Sequence, residues 1–396
     1  MKVVQINAVS GTGSTGTIVK NISRVLNSHD EENYIFYASG KDDDANAVRI
    51  SETRDMKIHA LLSHITGKQA YFSKRSTSRL LKRLDEIKPD IVHLHNLHHN
   101  YINLNMLLDH LAERDINTVI SLHDCWFFTA KCTHYTNTGC YRWQNGCGKC
   151  PLLKADNPSW FFDRTKEMWI DKKNRFEKIK SLEVIGVSAW IAGEAEKSFL
   201  SCGNISYIHN GIDTNIFTGS GADLRAKLGL ENKFVVLGIA NKWQSSVNEG
   251  LLEYVSKRLD KDCVMLLVGG TAKDMDNVIN IPYIKSREEL ATVYRTADVF
   301  VNVTREDSLP TVSIEAMSCG TPVITYDACG SAEMITEETG IVIKEGDMEA
   351  ILSAVSVVKD NGKSFYSKSC SEHIKKNYEM NTQYEKYYNI YRGVLA

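Results

Sequence analysis

The chain lacks the features that would take it out of the class of ordinary folded proteins with buried cores. In 396 residues no apolar run approaches the ~18 residues of a membrane span. The longest runs, "KFVVLGIA" and "CVMLLVGG", have only strand length. The opening "MKVVQINAVSG" has no extended apolar stretch of the kind that directs export, and it reads as a strand and a glycine turn. This predicts a cytoplasmic, reducing setting, in which structural disulfides are not expected. Neither sign of charge is in excess: the net charge is -2, which argues against a dedicated nucleic-acid binder. There is no internal repeat and no low-complexity linker, so length alone first suggests two domains.

Short apolar runs alternate with helical patterns over most of the chain. "KVVQINA", "ENYIFYA", "DIVHLH", "NTVISLH" and "LEVIGVS" read as strands in the first half. "FVVLGIA", "CVMLLVGG", "VINIPY", "DVFVNVT", "TPVITYD" and "GIVIK" repeat the theme in the second. Their nearly continuous Val, Ile and Leu content predicts parallel strands buried on both faces. Between them, "TSRLLKRLDEIKP" sets Leu80, Leu81, Leu84 and Ile87 on one helical stripe. The fold class is α/β, with two doubly wound Rossmann-like domains. The strand count restarts after "EVIGVSAW". The expected division is therefore 1–187, 188–378, and a closing helix 379–396 that packs back on the first domain.

Ligands of such sheets meet the carboxyl ends of the strands, so residues just after each strand carry the information. The first loop, "SGTGSTG", matches G-x-G-x-x-G with Gly11, Gly13 and Gly16. The acid that should close a dinucleotide site is not convincing, because Asp42 comes late in "YASGKDDD". The loop reads instead as a backbone surface for an anion at a helix N-terminus. "DIVHLHNLHHN" places His95, Asn96 and His98 where a strand gives way to loop, while His93 reads as a satisfied core histidine. His123 and Asp124 directly follow the next strand. In the second half, "HNGID" carries Asn210 in a tight turn, Lys242 ends a strand, and "REDSLPTVSIEAMSCGTPVI" places Glu306 and Asp307 before a short helix bearing Glu315. Backbone N–H groups between Ser308 and Val312 would point at an anion there, and a carboxylate such as Glu315 suits paired ribose hydroxyls.

Together "GSTGTIV", "PDIVHLHNLHHNYIN", "LHDCWFFTAKCTHY", "GCGKCP", "HNGID" and "LPTVSIEAMSCGTPVI" resemble the family 4 retaining glycosyltransferases, which have the GT-B fold of two domains facing a cleft. The match spans nearly the whole chain and is similar to the branch that builds colanic-acid-like exopolysaccharide, capsule and O-antigen. The resemblance implies transfer of a sugar from a nucleotide-diphosphate donor to a lipid-linked or growing glycan acceptor, with the first domain holding the acceptor and the second the donor. It implies catalytic roles for His123 and for Glu306 or Asp307. Gly13, Ser14, Asn210, Lys242, Ser308, Leu309 and Glu315 would bind donor, and His95, Asn96 and His98 acceptor. No catalytic metal is expected.

Two departures accompany the resemblance. The family spacing of eight between its two acids fits Asp307, while Glu306 keeps the usual residue type. In "NKWQSSVNEGL", Asn248 or Glu249 stands where relatives have a diphosphate-clamping Lys or Arg, leaving Lys242 as substitute and Arg305 as a second candidate cation. Two other readings follow from these features: a degenerate sugar-nucleotide-binding protein, or a zinc-containing NAD-dependent oxidoreductase. The stretch from Lys57 to Arg83 is basic without an acid, mixed with apolar and aromatic residues, and suits an anionic membrane surface as well as a solvated helical face. Peripheral attachment at the inner face of the cytoplasmic membrane is the corresponding location.

Four cysteines, Cys132, Cys140, Cys147 and Cys150, lie inside an irregular insert, 125–151. Only the last pair has the two-residue interval of a zinc knuckle. The alternatives are a structural zinc, with His134 as substitute ligand, or buried free thiols; zinc is the favoured one. Cys125 reads as a small apolar packing residue.

Overall fold

The apolar runs form two all-parallel sheets in a computed structural model that describes residues 1–271 and 275–396. The first contains β1 (Lys2–Val9), β2 (Glu32–Ser39), β3 (Ala47–Arg49), β4 (Ile91–Leu94), β5 (Asn117–Leu122), β6 (Leu182–Gly186) and β7 (Asn204–Tyr207), in the order β3-β2-β1-β4-β5-β6-β7. The second contains β8 (Phe234–Ile239), β9 (Cys263–Val268), β10 (Val278–Ile281), β11 (Val299–Asn302), β12 (Val323–Tyr326) and β13 (Gly340–Ile343), in the order β10-β9-β8-β11-β12-β13. Every residue of β4, β11 and β12 is buried, as helices on both faces require. In each sheet the strand order reverses once, between β1 and β4 and between β8 and β11.

The chain divides into two units, Met1–Asn210 with Asn381–Ala396, and Gly211–Met380. The first boundary falls later than the 187/188 expected from sequence. The reason is β7, a half-exposed edge strand that pairs with β6 through Glu183↔Asn204 to Gly186↔Tyr207 and so keeps the intervening helix, Ala189–Glu196, in the first unit. Its polar sequence, "NISY", gives no apolar signal.

The closing helix, Met380–Val394, belongs to the first unit and buries Tyr384, Tyr387 and Tyr391. Tyr391 donates its hydroxyl to His93 Nδ1 at 2.6 Å. Ser121 donates to Tyr387 at 3.3 Å, so its oxygen is left to accept from His93 Nε2 at 2.8 Å. His93 is thus a core histidine with both nitrogens paired, and the sequence expectation for it holds. Tyr391→Phe removes the donor and leaves a buried acceptor unpaired. The expected loss is about 1–3 kcal/mol of unfolding free energy, to be measured by urea denaturation.

Candidate active site

The order reversal of the first sheet brings the ends of β1 and β4 together, and the glycine loop sits there. Gly11 and Gly13 adopt φ +67 and +65, which a side chain would strain. A Cβ on Gly16 would lie 3.2 Å from Val9 Cγ2 and from the Gly11 nitrogen, so glycine lets the helix Gly13–Ser28 approach β1. Thr12 makes no side-chain cap and the first turn holds no acid, which leaves the first N–H groups, including that of Ser14, available to an anion. Asn7, missed in the sequence reading, ties the loop to β4: its amide donates to Val9 O at 2.8 Å and its oxygen accepts from Asn96 N–H at 3.1 Å. Asp42 is committed to Ser10, which donates to it, and to Lys20 at 3.0 Å. It is not placed as a free ribose acid.

A line of buried polar groups runs from β1 through β4 to the end of β5. Gln5 donates its amide to Val19 O at 3.2 Å, so its oxygen must accept from His95 Nε2 at 3.3 Å. His95 Nδ1 is then an acceptor and receives a hydrogen bond from His123 Nε2–H at 3.1 Å. The chain of bonds sets His123 as the Nε2–H tautomer, with a lone pair on Nδ1. Burial pulls the His123 pKa down to about 4 and His95 well below its usual value, so both are neutral near pH 7. His95 is wholly buried, which corrects its expected place among acceptor-contacting residues: it positions His123 instead. His98 keeps part of its surface and meets Asp124 Oδ2 at 3.0 Å. Asp124 also accepts from Trp126 N–H at 2.9 Å. Burial alone would raise its pKa, but His98 and that N–H bring it below the usual carboxylate range. Gln5 and Asn7, polar residues two apart in an otherwise apolar strand, were the available sequence signal.

In the second unit the reversal between β8 and β11 opens a cavity of ≈ 150 Å³. Lys242, Thr304, Asp307, Pro310, Thr311 and Val312 line it. Asp307 also accepts from Leu309 N–H at 3.1 Å, which shapes the turn into the helix Thr311–Ser318. That helix has no side-chain cap and no acid in its first turn. Ser308 is buried, and its hydroxyl has no hydrogen-bond partner. Further along the helix, Glu315 accepts from Tyr294 at 3.0 Å, and burial raises its carboxyl pKa to about 7. Asn248 is turned inward: it donates to Lys242 O at 3.0 Å and Val303 O at 2.9 Å and accepts from Arg305 at 2.9 Å. Glu249 is exposed and does not line the cavity. Arg305 approaches Glu345 at 3.9 Å. Lys242 is therefore the basic side chain lining this cavity. Asn210 is buried with its side-chain oxygen unpaired, and Glu306 is half-buried beside Asp307.

Comparison with known proteins decides the family. The sequence model described as Glycosyltransferase Family 4 matches residues 15–216, and one described as Glycosyl transferases group 1 matches residues 231–361. The chain belongs to glycosyltransferase family 4. Its activity is glycosyl transfer, which removes the oxidoreductase reading. The chain is 25% identical over 320 residues to the putative colanic acid biosynthesis glycosyl transferase WcaC of Escherichia coli K12, covering 77% of each. It is 25% identical over 212 residues to the Escherichia coli UDP-Gal:alpha-D-GlcNAc-diphosphoundecaprenol alpha-1,3-galactosyltransferase, covering 48% of this chain and 55% of that one. Among solved structures, sucrose-phosphate synthase from Thermosynechococcus elongatus superposes with a TM-score of 0.70 at 16% identity over 100% of this chain and 99% of that one. WaaG, a glycosyltransferase involved in lipopolysaccharide biosynthesis, does so with 0.65 at 14% identity over 99% and 100%. The fold is GT-B.

For this family 4 enzyme, the insert after Asp124 is held by two buried lysine side chains that the sequence did not reveal. Lys131 donates to Leu152 O at 2.8 Å, Asn157 O at 3.2 Å and Asp156 O. Lys172 donates to Trp126 O at 2.6 Å and Thr129 O at 3.0 Å, with its nitrogen 3.5 Å from the Trp126 ring centre. Cys132, Cys140, Cys147 and Cys150 line one small cavity, and the backbone N–H groups of Ala130 and Leu152 are directed at the Cys147 and Cys150 sulfurs. His134 does not line it. Among the described residues these four sulfurs do not supply three ligating atoms mutually within 4.8 Å. Among the described residues the one trio of ligating atoms mutually within 4.8 Å is Asp260, Asp262 and Cys263, where Lys359 already bridges both carboxylates at 2.7 Å. Cys125 is buried, with its N–H on Thr133 O at 2.8 Å.

Two outcomes are expected from the buried histidines. Burial lowers His59 and His123 to about 4, against about 6.5 unfolded. Their contribution is full above pH 6.5 and is lost as pH falls toward 4, so the urea midpoint at pH 5 lies below that at pH 7. Nitrogen-15 spectra of histidine-labelled protein show His123 as a single Nε2–H tautomer, and Gln5→Leu mixes the two tautomers.

Proposed function

We propose that the chain is a retaining glycosyltransferase moving a sugar from a nucleoside-diphosphate donor to a lipid-linked or growing glycan acceptor in surface polysaccharide synthesis. The observation that carries the donor half is the cavity at the β8/β11 reversal, where Lys242 and the uncapped helix start at Thr311 converge. It offers an anion both a cation and N–H groups. Glu315 accepts the ribose hydroxyls, and Glu306 or Asp307 faces the sugar. Ser308 and Leu309 contact the sugar or diphosphate; in the first unit, Asn210 and the Gly13–Ser14 loop are the donor-binding candidates that the resemblance implies. His123 accepts a sugar hydroxyl at Nδ1; Asn96 and His98 serve the acceptor. The relatives' names supply the acceptor class: one is assigned to colanic acid and another names a diphosphoundecaprenol-linked sugar.

The step breaks the bond between the anomeric carbon and the phosphate oxygen and forms one to the acceptor oxygen on the same face. The acceptor's proton passes to the leaving phosphate oxygen. Negative charge builds on the diphosphate, and Lys242 with the helix N–H groups stabilises it, so the step needs neither a protein nucleophile nor a divalent ion. Against the degenerate reading, Glu249 is exposed and does not line the cavity, whereas Lys242 does. In the same reading the four cysteines hold a structural zinc that braces the insert. Their shared cavity and the N–H groups directed at two of the sulfurs support this.

Uridine diphosphate binding by calorimetry and turnover of uridine-diphosphate sugars with a lipid-diphosphate-linked acceptor test the function. Glu315→Gln and Lys242→Ala each weaken nucleotide binding about tenfold or more, or about 1.4 kcal/mol. A carboxyl with a pKa of about 7 is protonated below it, so wild-type affinity falls as pH drops under about 7 and that of Glu315→Gln stays flat. Inverted product stereochemistry would overturn the retaining mechanism. Elemental analysis of protein kept from chelators should give about one zinc per chain.

A further inference from the structure

Beyond the ends of β4 and β5, four residues close a circuit of hydrogen bonds. Trp126 Nε1–H donates to Gln69 Oε1 at 2.6 Å, and an indole can only donate. The Gln69 amide nitrogen is therefore left as a donor, and it meets His98 O at 2.8 Å. Asp124 Oδ1 accepts from Trp126 N–H at 2.9 Å, and Asp124 Oδ2 lies 3.0 Å from His98 Nε2. The carbonyl and the imidazole of His98 are thus both tied to one tryptophan, one through Gln69 and the other through Asp124. Trp126 and Gln69 are buried. Lys172 in turn holds Trp126 by its carbonyl, at 2.6 Å. So closed a circuit fixes the imidazole more firmly than a single ion pair near the surface would.

The circuit decides where His98 keeps its proton. Asp124 is held below the usual carboxylate range against the effect of its burial, so it is ionised and only accepts. The neutral imidazole then carries its proton on Nε2 and a lone pair on Nδ1. Nδ1 has no partner within the chain and is not closed off from solvent. His123 also has its lone pair on Nδ1, and it is a neighbour: beyond the effect of burial, a charge on His98 would lower its pKa further. This corner of the first unit therefore offers two hydrogen-bond acceptors, with a carboxylate behind one of them. A phosphate placed at His98 would meet a lone pair and negative charge, whereas a sugar ring brings hydroxyl donors. We propose that His98 Nδ1 accepts a hydroxyl of the acceptor's sugar ring, and that Asp124, Gln69 and Trp126 are the positioning residues that keep that lone pair in place. The hydroxyl is not the attacking one, whose proton goes to the leaving phosphate oxygen. His98 thereby selects the neutral sugar of the acceptor and not its charged end. The inference rests on the proposed reading of His98 as a residue of the acceptor side.

Nitrogen-15 spectra of histidine-labelled, full-length protein test this without donor or turnover, so the result is separate from that of the proposed transfer. They are recorded at about pH 8, above the ordinary imidazole range. The probes are the methyl glycosides of glucose, galactose, mannose and N-acetylglucosamine at high millimolar concentration, and inorganic phosphate. The His98 signals are those that vanish in His98→Leu. The expected result is a single Nε2–H tautomer and an upfield shift of Nδ1 with at least one glycoside, but not with phosphate. In Asp124→Asn one oxygen becomes an NH2 group. With the remaining oxygen kept by Trp126 N–H, that group faces Nε2 and moves the imidazole proton to Nδ1. This variant and His98→Leu bind the glycoside at least about tenfold more weakly, whereas His98→Asn, whose amide oxygen can stand where Nδ1 stood, binds within about threefold of wild type. A purely structural Asp124 would leave the tautomer unchanged. A proton on Nδ1 in the wild type, no shift with any glycoside, a shift with phosphate, or an unchanged tautomer in Asp124→Asn overturns the inference.

Discussion

The structure depends on one constraint: a parallel sheet buried on both faces leaves its chemistry nowhere to go except the carboxyl ends of its strands. Crossovers cover both faces, so an inward-pointing polar side chain must find a partner inside. Only where the strand order reverses do neighbouring connections diverge and leave room for a ligand. Both units have one such point, β1/β4 and β8/β11. The glycine loop, Asn96 and His98 lie beside the first, and Lys242, Asp307 and the helix carrying Glu315 beside the second. His123 stands one strand over, at the end of β5, and reaches the first point through His95.

The same constraint explains why the polar residues within the strands come in bonded lines. Gln5 would be costly in the middle of β1 unless its amide and oxygen were both used. Val19 O and His95 use them, and the direction of those bonds decides which nitrogen of His123 keeps a lone pair. The neighbouring line, Tyr391–His93–Ser121–Tyr387, solves the same problem with the closing helix. A chemical property of His123 is thereby set by a residue two strands away, and the packing of the core and the readiness of the site are one arrangement.

What could be read from sequence divides along this boundary. Strands such as "DIVHLH" and "FVVLGIA" announced themselves because burial on both faces demands unbroken apolar runs, and the site residues were legible because they follow those runs. The edge strands β3 and β7 were silent: "AVR" is too short and "NISY" too polar, and missing β7 misplaced the boundary. The role of His95 was hidden because it depends on Gln5, 90 positions away. The choice between Asn248 and Glu249 was equally hidden. It turns on which side chain the short turn folds inward, and that follows from the open carbonyls of Lys242 and Val303, which an amide can satisfy and a carboxylate cannot.

The inward turn of Asn248 leaves Lys242 as the basic side chain of the cavity. A lysine or arginine at 248 would have to leave the two carbonyls and reach outward. With asparagine there, the turn is closed by its amide, and its oxygen engages Arg305, while the short helix Ala240–Trp243 carries Lys242 at the cavity wall. In the proposed function Lys242, at the end of β8, supplies the positive charge that the resemblance assigns to a Lys or Arg at 248 or 249, and Glu249 is exposed. Electrostatic stabilisation of a leaving diphosphate depends on where charge stands relative to the phosphate, not on which sequence position supplies it. A motif compared position by position registers a loss at 248 and 249, whereas the folded turn still sets a lysine, Lys242, at the cavity wall.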